Sequence, residues 1–306
     1  MCYHPRIETV DHADFITSRT VNSALWFVNN RPLEDVILGY IAKYSERHTV
    51  SLYAAAIEGN HIHLVTQFTK GNRGAFMQVL NSTIARALPR YTNHPGGPVF
   101  ARRYSNEFLP AAEDLENWFF YTVLQPIQNG LVERLSDYNG YNCFQDAIWG
   151  RERTYHIVNW TAYNEAKRWR PEVKVTDFLE AHTLRYMRLP GYEELSQKEY
   201  VKLMKEKLEV RRQEILAARR AEGKGFAGPS AIRKTVPGSF PSTTKTSTQH
   251  THRPRVLSVC PKRRAETLAW YFRIYYAHQA ASYEYRNGNH NAGFPPGTYK
   301  PYVPER

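Results

Sequence analysis

Between residues 14 and 125 the apolar positions change period repeatedly, and each change marks an element. "DFITSRTV" (14–21) alternates as a strand does. Leu33, Val36, Ile37, Tyr40, Ile41 and Tyr44 then recur at helical spacing, which predicts an amphipathic helix over 32–47. "TVSLYAAAI" and "HIHLVTQF" read as two strands joined by a hairpin turn at Glu58-Gly59-Asn60. Phe76, Leu80, Ile84 and Leu88 mark a second helix that stops near Pro89. "GPVFARRYSNEFL" (97–109) reads as a further strand. After Pro110, "AAEDLENWFFYTVLQ" reads as a third helix, with acidic residues at its positive end and Pro126 as its stop. The order is β-α-β-β-α-β-α, so the expected fold class is α/β (α+β): a ferredoxin-like antiparallel sheet with helices on one face.

The remainder is looser. "TYHIVNWTAYNEAKRW" is compatible with one or two strands, or with a strand and a helix. Residues 196–222 form a long basic helix opened by Ser196 and followed by Gly223. "PGSFPSTTKTSTQHTHRP" (237–254) has little to bury and reads as a linker. Residues 261–286 form an aromatic-rich helix, and the tail "GFPPGTYKPYVPER" cannot be helical. The expected division is a catalytic unit over 1–145, a basic and mostly helical extension over 146–236, a linker over 237–258, and a final helix and tail over 259–306. No internal repeat is visible.

Charge sharpens this division. The net charge is +12, but residues 1–150 balance at −2 and residues 151–306 at +14. A polyanion is the natural partner for the second half, nucleic acid the commonest. With 42% hydrophobic residues the chain can build a core. No run of eighteen apolar residues suggests a membrane span, and the N-terminus lacks the apolar region of a secretory signal. Cys2, Cys143 and Cys260 are scattered without a CxxC pair, which fits a reducing cytoplasm better than a disulfide frame or thiolate zinc site. P-loop, zincin and EF-hand patterns are absent.

The chemistry concentrates in "EGNHIHLVTQF" (58–68). In a strand His61 and His63 project from one face, a pair able to chelate a divalent ion if a third group joins them. One histidine on a strand is usually structural; two at this spacing bring metal binding in beside that reading. Tyr121 and Gln125, four residues apart on the third predicted helix, share a stripe in apolar surroundings, where a phenol and a carboxamide need polar partners.

The ordered set resembles the HUH single-tyrosine transposases, in particular their REP-associated branch. The matching stretches are "FITSRT", "GNHIHLV", "FMQVLNSTIARALPRY", "GGPVFARRYS" and "FFYTVLQPIQNGLVE…DYNGYN", across roughly residues 11–145. The resemblance implies that His61 and His63 are metal ligands for Mg²⁺ or Mn²⁺, Tyr121 the nucleophile and Gln125 the third ligand. Many members of the branch carry asparagine at that last place, so the glutamine is a departure. It further implies cleavage and rejoining of single-stranded DNA through a 5′-phosphotyrosine, at repetitive hairpin-forming elements, by a cytoplasmic, nucleoid-associated monomer or homodimer. Arg19, Arg102 and Arg103 in the first unit, and Arg211, Arg212, Arg219 and Arg220 on the basic helix, are the expected DNA contacts. Two other readings stay open: a catalytically silent DNA- or RNA-binding protein of the same fold, and a phosphodiesterase for small nucleotides.

Overall fold

The computed structural model describes residues 6–241 and 255–302. The chain runs β1 (Ala13–Arg19), α1 (Arg31–His48), β2 (Val50–Glu58), β3 (His61–Phe68), α2 (Arg73–Tyr91), β4 (Ser105–Leu109), α3 (Ala112–Val123) and α4 (Gln125–Gln128). There follow α5 (Phe144–Trp149), β5 (Arg153–Val158), α6 (Trp160–Trp169), β6 (Leu179–Leu184), α7 (Gln197–Ala221), α8 (Gly228–Lys234) and α9 (Pro261–Arg286).

The first four strands form one antiparallel sheet in the order β2-β3-β1-β4, the ferredoxin-like order expected. Each helix has a local cause. Asn30 caps α1 by accepting from the Leu33 N–H, Pro32 enters its first turn, and Thr49 ends it in the left-handed region. Ser196 and Glu199 form a reciprocal capping box at the start of α7. Gly59 is required in the β2–β3 turn, because a Cβ there would stand 2.7 Å from Val28 and 2.8 Å from Leu25 side-chain carbons.

The two faces of the sheet are covered differently. On the Ile62 face, α2 is bonded to β1: Arg73 Nη1 reaches Asp14 Oδ1 at 2.6 Å, and Asn81 bonds Ser18. Helix α1 lies beside α2. On its outer side α1 meets the antiparallel β5–β6 pair, where Lys43 pairs with Glu180 at 2.6 Å. The third helix crosses to the opposite face, and its Trp118 and Tyr121 rings pack on Phe15 of β1. Cover on both faces explains why β3 is buried almost throughout.

Both outer edges of this sheet are met by other segments. Met187 donates its N–H to Leu52 O on β2, and Asn142 bridges Ala56. At the far edge Phe108 N bonds Arg255 O and Leu257 N bonds Phe108 O, a short parallel pairing. One continuous apolar cluster holds the sheet residues together with Tyr155, Ile157, Leu184, Tyr200, Met204 and Leu216 from the later elements. A second, smaller cluster joins Ile7, Phe108, Val256 and Tyr271.

Several expected elements differ in extent. The strand over 97–109 is confined to Ser105–Leu109; Phe100 still bridges Thr20, and Val99 O and Ala101 N bond at the end of β1, but the chain bends away at 101–103 before the ladder begins. Arg102 and Arg103 therefore lie in a loop. Helix α2 runs two residues past Pro89, since a missing N–H in the last turn costs one bond only. The third helix ends at Val123, and Gln125 starts the separate turn α4. Pro126 cannot donate, which breaks the ladder there. "TYHIVNWTAYNEAKRW" resolves into a strand and a helix. Of the expected linker, residues 242–254 lie outside the described residues, whereas Val256 pairs with the sheet. Among the described residues no helix is long and apolar enough to cross a membrane.

The Arg73–Asp14 pair is buried on both sides. Breaking it alone strands a charge, so Arg73→Met should cost about 3–5 kcal/mol in urea unfolding, and adding Asp14→Leu should restore most of the loss.

Candidate active site

The sheet register assembles the site. His61 stands opposite Arg19 on one side and Glu58 on the other; His63 stands between Thr17 and Ala56. All six side chains belong to the face that α3 crosses.

The two imidazoles are 8% and 6% exposed, with ring centroids 4.5 Å apart at 73°. Each is oriented through Nδ1. His61 Nδ1 meets Asn60 Oδ1 at 2.7 Å, and His63 Nδ1 meets Thr17 Oγ1 at 2.9 Å. The Asn60 oxygen accepts, so a neutral His61 ring carries its lone pair on Nε2, the arrangement that prepares imidazole as a ligand. Phe15 stacks on His63 at 4.8 Å, which fixes that ring further.

Tyr121 reaches the same place from above. Its ring lies 6.2 Å from the His63 ring and is wedged against Phe15 and Trp118, at 5.6 and 4.5 Å. It remains partly exposed.

Gln125 is 3% exposed. Its Oε1 accepts from Asn129 Nδ2 at 3.1 Å, and its Nε2 is buried without a hydrogen-bond partner. An orphaned buried donor is costly. A half-turn of the carboxamide would place an oxygen where the orphan nitrogen stands, and because it would set Nε2 against Asn129 Nδ2, Asn129 would have to turn with it. Asn129 also bonds the Glu58 carboxylate, so Gln125, Asn129 and Glu58 form a chain that ends beside His61. Two oriented imidazoles, joined by an amide oxygen if the carboxamide turns, would suit a divalent ion that takes its remaining ligands from substrate and water oxygens. Among the described residues no group of three His, Cys, Asp or Glu side chains could hold a metal ion.

Sequence reasoning missed Glu58. A two-residue turn, Gly59-Asn60, makes positions 58 and 61 direct partners; assigning Glu58 to the turn hid this. Burial pushes its carboxyl up to about 7, against the Asn129 bond that favours ionisation. The Tyr138 hydroxyl is raised too, by burial and then by the nearby Glu58 charge.

The arginines fall into two groups. Arg19 ends β1 at the rim of the site, exposed; Ala101 N bonds Arg19 O, which brings exposed Arg102 and Arg103 to the same edge. On α7, Arg211 bonds Glu116 and Asn117 and covers the Phe120 ring at 4.2 Å. Arg212 bonds Glu209 and Glu133 O, and Arg219 bonds Gln128 O. These three tie α7 to the α3–α4 region that carries Tyr121 and Gln125. Arg220 is exposed.

Glu58 ties stability to pH. Its folded value near 7 lies above the ordinary 4.5, so the folded state binds more protons between these values. Stability should fall as pH rises from about 4.5 to 7 and then level off, the contribution amounting to up to ~3 kcal/mol. In urea titrations with EDTA, Glu58→Gln should be more stable than the native chain at pH 8 and should lose this slope.

No family model matches the chain. No curated protein matches it either. Among solved structures, a similar chain is a REP-associated tyrosine transposase bound to a REP hairpin. It is 14% identical, with a TM-score of 0.41, and the likeness covers 47% of this chain and 84% of that one.

Proposed function

We propose that this protein is a metal-dependent single-stranded DNA endonuclease and strand transferase with Tyr121 as nucleophile. The observation that carries the reading is the placement of one partly exposed tyrosine over two adjacent imidazoles, each held through its Nδ1. A phenol near pKa 10 is a weak nucleophile at neutral pH, so the phosphate must be activated.

His61, His63 and Gln125 would hold Mg²⁺ or Mn²⁺, which when bound polarises the scissile phosphate and offsets charge on its oxygens. Phe15 and Trp118 restrict the Tyr121 ring, so its Oη approaches the phosphorus from a fixed side. A bond forms between Tyr121 Oη and phosphorus, the P–O3′ bond breaks, and the phenolic proton passes through solvent to the leaving 3′-oxygen. The products are a 5′-phosphotyrosine and a free 3′-OH. Attack by another 3′-OH reverses the step, so bond energy is conserved and no nucleotide cofactor is needed. Arg19, Arg102 and Arg103 at the rim, with Arg220 farther out, meet backbone phosphates.

Incubation with labelled single strands and Mn²⁺ should give a covalent protein–DNA adduct. Tyr121→Phe should abolish the adduct while affinity for DNA stays within about twofold. His61→Ala or His63→Ala should lose both the adduct and calorimetric Mn²⁺ binding. An adduct surviving in Tyr121→Phe, or unchanged Mn²⁺ affinity in both histidine variants, overturns the assignment. The latter result would also favour a silent nucleic-acid-binding role.

Salt dependence separates the arginine groups. Replacing Arg19, Arg102 and Arg103 together by Gln should flatten the log–log salt slope by about 2, at roughly 0.7 per phosphate contact on single strands. The same change at Arg211, Arg212 and Arg219 should lower the melting temperature and leave the slope nearly intact. A flattened slope in that second variant would place those side chains on DNA as well.

A further inference from the structure

Asp114, Asn117, Trp118 and Tyr121 recur at i, i+3, i+4 and i+7, so they share one face of α3. The N-terminal part of that face is the wall of a groove of about 270 Å³. Val256, Leu257, Ser258 and Val259 form the other wall, and Arg264 of α9 lies on its rim, exposed. The groove therefore begins where the nucleophile ends: Trp118, which lines it, has its ring 4.5 Å from that of Tyr121.

Its chemistry is specific. The lining is mostly apolar, with one large aromatic ring. Asp114 is 1% exposed. Its Oδ1 accepts from the Val259 N–H at 2.9 Å, whereas its Oδ2 is buried with no hydrogen-bond partner. Arg263 Nη1 forms an ion pair with that oxygen at 3.8 Å, beyond hydrogen-bond distance, and bonds Glu113. A carboxylate oxygen offers only acceptor capacity, and a buried one without a donor is expensive. The groove thus combines a stacking ring, apolar walls, a carboxylate oxygen just behind the wall that lacks a hydrogen-bond donor, and a rim cation, at a size below that of pockets for drug-sized ligands. A planar heterocycle with an N–H group at its edge and a phosphate at its other end answers every one of these features.

We infer that the groove binds one unstacked base of the strand held at Tyr121. The inference rests on the single-strand reading above. Trp118 supplies the stacking surface, Asp114 Oδ2 accepts from an exocyclic amino group, and Arg264 meets the adjoining phosphate. The site favours cytosine, adenine or guanine over thymine, whose imide N–H is flanked by two carbonyl oxygens that a carboxylate repels. Residues 256–264, far along the chain from the histidine pair, then take part in choosing where the strand is cut.

The test uses the full chain carrying Tyr121→Phe, so that strands bind uncut, with fluorescein-labelled (dC)12, (dA)12 and (dT)12 at one salt concentration. The expected result is binding of (dC)12 and (dA)12 on the order of fivefold tighter than (dT)12, a modest preference for one base contact repeated along a homopolymer. Asp114→Asn keeps an acceptor for Val259 and turns the orphan oxygen into a donor, so the preference should shift toward (dT)12. Ser258→Phe, filling the groove from the other wall, should remove the preference without touching α3. Arg264→Gln should weaken all three strands alike. With Tyr121 restored, adduct yield on the same strands should follow the same order. Adduct formation with a base preference that neither Asp114→Asn nor Ser258→Phe alters, in variants whose melting curves match the parent, overturns the groove assignment alone. Absence of both adduct and binding on every strand overturns the single-strand reading with it.

Discussion

The register of β3 between β1 and β2 is the constraint on which the site depends. With a side-chain period of two, a slip of one residue would turn His61 and His63 toward α2 and put Ile62 and Leu64 beneath Tyr121. The apolar side chains on the other face lock the register: Ile62 and Leu64 are almost wholly buried there, as are Ile57 and Ile16 on the neighbouring strands. The core under one face therefore sets the chemistry on the other.

Placing polar groups on a covered face has a cost, and the hydrogen bonds around the imidazoles show how it is met. Asn60 and Thr17 serve one ring each. Gln125 has a partner at one end of its amide only, and Asp114 at one end of its carboxylate only. Both groups lie on the α3–α4 side of the sheet, although Asp14 on the opposite face likewise has one carboxylate oxygen without a hydrogen-bond partner. The opposite face carries the buried Arg73–Asp14 pair, with Ile7 O and Asn106 as further partners, which joins β1, β4, α2 and the N-terminal segment.

Much of the sheet was legible because period and turn chemistry agree locally. The β3 alternation, the α1 stripe and the capping box of α7 each need only their own residues. What escaped depends on distant partners or on exact counts. Glu58 became a site neighbour only once the turn was counted as two residues. The break at Leu124 separates Tyr121 and Gln125 into two helices, although their spacing of four suggested one. Arg211, Arg212 and Arg219 read in sequence as DNA contacts on a basic helix, and the partners they also have within the fold lie some 80–95 positions earlier. Periodicity cannot reveal what a cation faces across the fold.

The parallel pairing of Phe108 with residues 255–257 has a consequence for synthesis. The outer edge of β4 acquires this partner only after another 147 residues have been made. At roughly 5–20 residues per second, that leaves the edge open for about 7–30 s while the ribosome continues. An unpaired edge is a template for pairing with other chains, so the nascent protein passes through an interval of heightened self-association. A holdase acting on ribosome-bound chains would have its natural substrate in that interval.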